Sequence, residues 1–205
     1  MSRTLGAAGP DVGRAVSERL GFRYVDEAIV VQAAERGQVG EEVVADAEKR
    51  RTLARRLLEE LAWVGTVQMM PPISPTEYTT GPYRDLIVDV IRETAEGGGA
   101  VIVAHAASHA LVGRPGLLRV LVTAPDEVRA RRLAAEAGVD ERRGMKLVQE
   151  SDAARDAYLK TFYSISAELP TQYDLVVNTD VLSPDEAAAL IVTAAGFALD
   201  GRTAA

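Results

Sequence analysis

The chain has 205 residues, 47% of them hydrophobic and 26% charged, with a formal net charge of −7. That is enough chain and apolar content for one sizeable core, and the charge excludes a protein that grips nucleic acid through a broad basic surface. The absence of cysteine excludes disulfides, thiolate metal sites and cysteine nucleophiles. No apolar run reaches the roughly 18 residues of a membrane span. The first residues lack the basic-then-apolar pattern of a secretion signal, so the expectation is a cytoplasmic protein with neither a membrane nor a nucleic-acid partner.

A helix is predicted from Pro10 to Leu20. Proline suits the first helical position, Asp11 complements the dipole there, and Gly21 can close the far end. Phe22-Arg23-Tyr24-Val25 reads as a short strand and Glu27–Glu35 as a helix. Glu41–Ala62 is long and charged, with Val43, Val44, Leu57, Leu58 and Leu61 among its helically spaced apolar positions. That stripe either packs on the core or forms a homodimer surface, core packing being the default. Trp63–Pro82, with Pro71, Pro72, Pro75 and Pro82, has no clean period and reads as a loop or small lobe.

Tyr83–Glu96 returns to helix, and Gly97-Gly98-Gly99 breaks it. Ala100–Ala104, Leu117–Thr123 and Tyr173–Asn178 have the apolar runs of strands covered on both faces of a parallel sheet. Helices are predicted around Ser108–Leu111 and over Pro125–Ala137, Glu141–Tyr163 and Pro184–Leu199. Strand and helix alternate, which predicts an α/β domain with a mainly parallel sheet.

The most informative stretch is Gly6-Ala7-Ala8-Gly9, which runs into the first helix. Consecutive backbone N–H groups at a helix N-terminus hold phosphate. In the common GxxxxGK[ST] loop a lysine neutralises phosphate charge and a Ser or Thr binds Mg²⁺. Here Gly9, Pro10 and Asp11 stand at those positions, and the only lysines are Lys49, Lys146 and Lys160. Arg3 and Arg14 are the candidates to supply the charge. Asp11 is expected to compete with phosphate for the N–H groups. Only five residues precede Gly6, so the strand that should enter such a loop looks missing, either because the chain starts upstream of Met1 or because the domain lacks that strand.

In order and spacing these segments resemble the cytidylate kinase-like family of P-loop proteins. Ser2-Arg3 followed by Gly6 and Gly9 is similar to the family's opening Ser-Arg-x-x-Gly-x-x-Gly, and Leu20-Gly21-Phe22-x-Tyr24-x-Asp26 to the stretch after it. Ala124-Pro125 with Arg129 and Arg132, Asp152-x-x-Arg155-x-x-Tyr158, and Tyr173-Asp174-Leu175-Val176-x-Asn178-Thr179 resemble its lid and last strand. The resemblance implies a P-loop NTPase-like three-layer α/β/α sandwich. It would be a single domain over 1–205, with residues 40–82 as a small helical acceptor lobe and 125–165 as a helical lid.

The same resemblance implies transfer of a phosphoryl group from ATP, with Mg²⁺, to a cytidylate-like nucleoside monophosphate. Gly6, Ala7, Ala8, Gly9 and Arg14 would hold the donor, and Arg129, Arg132 and Arg155 would clamp the transferred group. Asp26 and His105 would face the acceptor. No metal-ligating side-chain set is expected: His105 and His109, four apart, read as pocket wall or phosphate contacts. The chain departs from the family at Ala104–His109, where Gly-Arg and an acid are expected, and at Met145, where a lid arginine often stands. Three readings follow: an active kinase, a catalytically degenerate nucleotide-binding module, and an interaction domain that keeps only the scaffold.

Overall fold

A computed structural model describes residues 1–26, 81–104 and 107–199. The Glu27–Glu35 and Glu41–Ala62 helices, nearly all of the 40–82 lobe, and His105 lie outside the described residues.

The described strands are β1 (Ser2–Arg3), β2 (Arg23–Asp26), β3 (Ala100–Val103), β4 (Val120–Thr123) and β5 (Leu175–Asn178). The helices are α1 (Gly9–Leu20), α2 (Gly81–Glu96), α3 (Ala107–Ala110), α4 (Asp126–Ala137), α5 (Glu141–Tyr163) and α6 (Pro184–Leu199). Every strand pair is parallel: β2 lies on β3, and β4 lies between β1 and β5. Met1 joins the two groups, its amine donating to the Ile102 carbonyl at 2.6 Å and its carbonyl accepting from Ala104 N–H at 3.2 Å. The strands therefore run β2-β3-β1-β4-β5, with the shortest at the centre.

The first strand is thus present, as two residues in register with Leu121 and Val122. The expectation of a missing strand, drawn from the five residues before Gly6, is corrected: two residues suffice. Ser2 is fully buried and donates its hydroxyl to Ser108 at 3.2 Å, so it satisfies an interior position that an apolar pattern does not mark.

Alternation along the strands divides the core. Val101 and Val103 pack with Val12 and Val16 of α1 and with Ala187, Ala188 and Ile191 of α6. Ile102 and Ala104 face the other way, against Ile91 of α2 and Ala107 of α3. The result is a sheet covered on both faces, a P-loop-like α/β fold. A third cluster, Ala130, Leu133 and Val148 with Met145 beside it, holds α4 on α5; Met145 is used in packing.

The two helices cross closely because of Gly144, where a Cβ would sit 2.2 Å from the Ala130 carbonyl oxygen. Gly144→Ala is expected to cost about 3 kcal/mol through overpacking, offset by about 1 kcal/mol of helix propensity. Urea unfolding should therefore show a net loss of roughly 2 kcal/mol; a variant of unchanged stability would mean the helices are not held that close.

Candidate phosphate site

Five residues, Thr4–Ala8, link β1 to α1. Thr4 N–H donates to the Val122 carbonyl at 3.0 Å, and Ala7 N–H closes a tight turn on the Thr4 carbonyl at 3.2 Å. Gly6, third in that turn, has φ of 78°, the positive value a type II turn requires there. Ala8 then adopts a left-handed φ of 55° and caps α1 without a side-chain bond. A Ser or Asp cap would satisfy the first helical N–H groups; alanine leaves them for another acceptor.

The orientation of the loop is set by its carbonyls. Arg129 donates to Leu5 O at 3.3 Å, Arg132 to Gly6 O at 3.4 Å, and Thr179 Oγ1 to Ala7 O at 3.1 Å. In a trans peptide the carbonyl and the following N–H point in opposite directions. With those carbonyls held toward α4 and the end of β5, the N–H groups of Gly6 and Ala8 face the opposite side. The Ala8 carbonyl accepts from Val12 N–H at 3.0 Å, so Gly9 N–H projects off the helix end, as does Asp11 N–H. Pro10 contributes none. The loop lies at the carboxyl end of the central strand, where open parallel sheets bind ligands.

The three arginines expected at a phosphate are placed as follows. Arg129 is 2% exposed and binds both oxygens of Asp152, at 3.0 and 2.6 Å, and Asp126 at 2.7 Å. Burial disfavours its charge, but those carboxylates outweigh it and raise its pKa further. Asp152 thus bridges α5 to α4. Arg132, half-buried, also donates to Thr179 Oγ1 at 3.1 Å and Thr179 O at 2.5 Å. Arg155 is 5% exposed, forms a two-pronged bond with Glu168, and reaches the Arg3 carbonyl at 3.4 Å.

Positive charge on the other side of the loop comes from Arg3 and Arg14. A Cβ on Gly9 would fall 2.6 Å from both Cβ and Cδ of Arg3, so the Arg3 stem lies across the start of α1 and only glycine fits beneath it. Arg14 stands over the Tyr24 ring at 5.6 Å and pairs with Asp11 at 3.2 Å, which turns the Asp11 carboxylate along the helix. Burial and Asp26 raise the Tyr24 pKa, while Arg14 and Arg3 pull it down; both cations and Asp26 therefore act on one ring. Asp26 ends β2 opposite Val103. The structure brings Gly6, Ala7, Ala8, Gly9, Arg3, Arg14 and Asp26 to one end of the sheet, with Arg129 and Arg132 behind the loop.

Two contributors escaped the sequence reading. Thr179, fully buried, stood in the resembled last-strand motif without an assigned role, and Glu168 lay between the predicted elements. The Asn178-Thr179 pair after an apolar run was the available signal for the first; Glu168 had none.

A family model described as the cytidylate kinase-like family matches residues 1–181. The chain is 24% identical over 192 residues to a cytidylate kinase of Methanocorpusculum labreanum, covering 93% of this chain and 92% of that one. It is 34% identical over 115 residues to the cytidylate kinase of Aeropyrum pernix, covering 56% and 66%. Among solved structures, the crystal structure of an uncharacterized protein from Eubacterium ventriosum superposes with a TM-score of 0.66 at 14% identity, over 98% of this chain and 96% of that one.

Proposed function

Because this chain belongs to the cytidylate kinase-like family, we propose that Gly6–Gly9 is a phosphate cradle and that the protein transfers the γ-phosphoryl group of ATP to a cytidylate-like nucleoside monophosphate. The observation that carries this reading is the triple anchoring of the loop carbonyls by Arg129, Arg132 and Thr179. Catalysis of phosphoryl transfer depends on preorganised positive groups more than on a side-chain nucleophile. Anchoring the carbonyls turns N–H dipoles to the opposite side before any ligand arrives.

In this reading Gly6, Ala8, Gly9 and Asp11 offer N–H groups to the donor phosphates. Arg3 and Arg14 supply the cationic charge that lysine gives elsewhere. Arg129, Arg132 and Arg155 hold protein groups, and Asp26 faces the acceptor side. Mg²⁺, when bound with the nucleotide, would supply charge neutralisation at the phosphates. No group of three or more His, Cys, Asp or Glu able to hold a metal exists among the described residues. No helix among the described residues is long and apolar enough to cross a membrane.

ATP with Mg²⁺ at about 100 times Kd should add roughly 2.7 kcal/mol to unfolding, and CMP or dCMP should then release ADP. The absence of both stabilisation and turnover would refute the proposal. The pairing of Arg129 and Arg155 with carboxylates supports a second reading, nucleotide binding without transfer; stabilisation by ATP with no ADP release would select it.

A further inference from the structure

A second polar cluster lies on the face of the sheet opposite α1. Three side chains converge on the carboxylate of Glu168, in the segment between α5 and β5. Arg155 binds it through Nε to Oε2 at 2.8 Å and through Nη2 to Oε1 at 2.5 Å. The Tyr173 hydroxyl donates to Oε1. His109 Nε2 lies 3.9 Å from that oxygen and 3.4 Å from the Tyr173 hydroxyl, with the Tyr163 ring centred 5.7 Å from the imidazole. The cluster is enclosed: side-chain exposure is 4% for Arg155, 13% for Glu168 and 5% for His109.

Two arms leave this carboxylate. Through Arg155 it reaches the carbonyl of Arg3, the last residue of β1, whose stem covers the start of α1. Through His109 it reaches α3, which the Ser2–Ser108 bond fastens again to β1. We propose that Glu168 is a positioning residue that locks α3 and the base of the Thr4–Ala8 loop into one unit. Whatever binds at the carboxyl end of β3 and whatever binds at the loop are thereby held at a fixed mutual distance. The consequence for binding rests on the phosphate-cradle reading; the consequence for rigidity does not.

Burial alone would raise the Glu168 pKa, but the facing His109 and the bonds from Arg155 and the Tyr173 hydroxyl win and hold it at about 2. Burial and Glu168 push the Tyr173 hydroxyl up to about 12. The two charges and the proton therefore stay in place across the working pH range, as a permanent clamp requires.

Hydrogen exchange on the ligand-free full chain tests this. In Glu168→Gln, amides of residues 4–11 and 107–111 should both exchange about tenfold faster or more, with α6 unchanged. Tyr173→Phe should accelerate the same two segments less; it carries the test if Glu168→Gln does not fold. Acceleration confined to residues 155–175, a uniform increase over the whole chain, or no change would overturn the proposal. Titration with ATP then separates the two ideas. A wild-type chain that binds no ATP removes the cradle, while the exchange pattern still decides the role of Glu168.

Discussion

Arg129→Met is expected to lower stability by about 3 kcal/mol and to weaken ATP binding at least tenfold, or about 1.4 kcal/mol. Methionine keeps much of the buried stem volume but removes the charge that Asp152 and Asp126 approach at 2.6 and 2.7 Å. Removing one partner of a buried pair commonly costs about 3–5 kcal/mol. The lower end applies because Asp126 is 58% and Asp152 34% exposed, so water can take over part of their solvation. The loss of binding has a separate origin: Leu5 O loses its donor, and the peptide that presents Gly6 N–H is free to turn. Arg129→Lys should recover part of the stability through one ion pair and little of the binding, since an ammonium cannot bridge two carboxylates and a carbonyl in a plane. Urea unfolding and ATP titration of both variants separate the two effects. Wild-type affinity in a folded Arg129→Met chain would show that the loop holds its shape without the anchor.

The second large effect is on pH dependence. In a chain whose first residue is Met1, the amine sits between β3 and β4, and removal from water lowers its pKa from 8.0 to about 5. The folded state then favours the neutral amine, while the unfolded chain takes up a proton below pH 8. Stability is full above pH 8, falls as the pH drops from 8 to 5, and loses nothing further from this group below 5. The three-unit difference corresponds to at most about 4 kcal/mol. Glu168 acts in a separate window: its pKa falls from 4.5 to about 2, so its contribution is lost between those values as acid is added. Urea midpoints taken from pH 8 to pH 2 should therefore decline in two stages. In a chain carrying residues ahead of Met1 an amide replaces the amine, and the upper stage should vanish while the lower stays. A flat profile from pH 8 to 5 in the chain starting at Met1 would refute the assignment.

Much of this architecture can be read from local patterns, because local patterns built it. Glu141–Tyr163 and Pro184–Leu199 have the predicted bounds, and each start is chemically marked: Asp140 accepts from Arg143 N–H at 2.8 Å, and Ser183 and Glu186 bond reciprocally. Gly21 closes α1 at φ 65° as its position suggested. Strand length is less legible. The apolar run from Leu117 begins pairing only at Val120, since ladder bonds need a neighbour and hydropathy does not report one.

The site follows the same division. Gly6–Gly9 is visible because its glycines answer to local geometry: a positive φ at Gly6 and the Arg3 stem over Gly9. What holds the loop is invisible along the chain. Thr179 meets Ala7, and Arg129 meets Leu5 and Asp152, across separations that no spacing rule covers. A buried arginine also looks the same in sequence whether it faces a phosphate or a carbonyl.

The two-residue central strand has a consequence for how the protein is made. Ser2 and Arg3 are synthesised well before their partners on β4, residues 121 and 122. At about 5–20 residues per second, roughly 6–24 s of synthesis separate the two. The Thr4–Ala8 loop lacks an anchor until that closure occurs, because Thr4 N–H donates to the Val122 carbonyl. β1 thus joins the sheet late, after loop closure over more than a hundred residues, the kind of non-local pairing that slows folding. A nascent chain that ends before Val122 lacks the partner on which the Thr4–Ala8 loop is anchored.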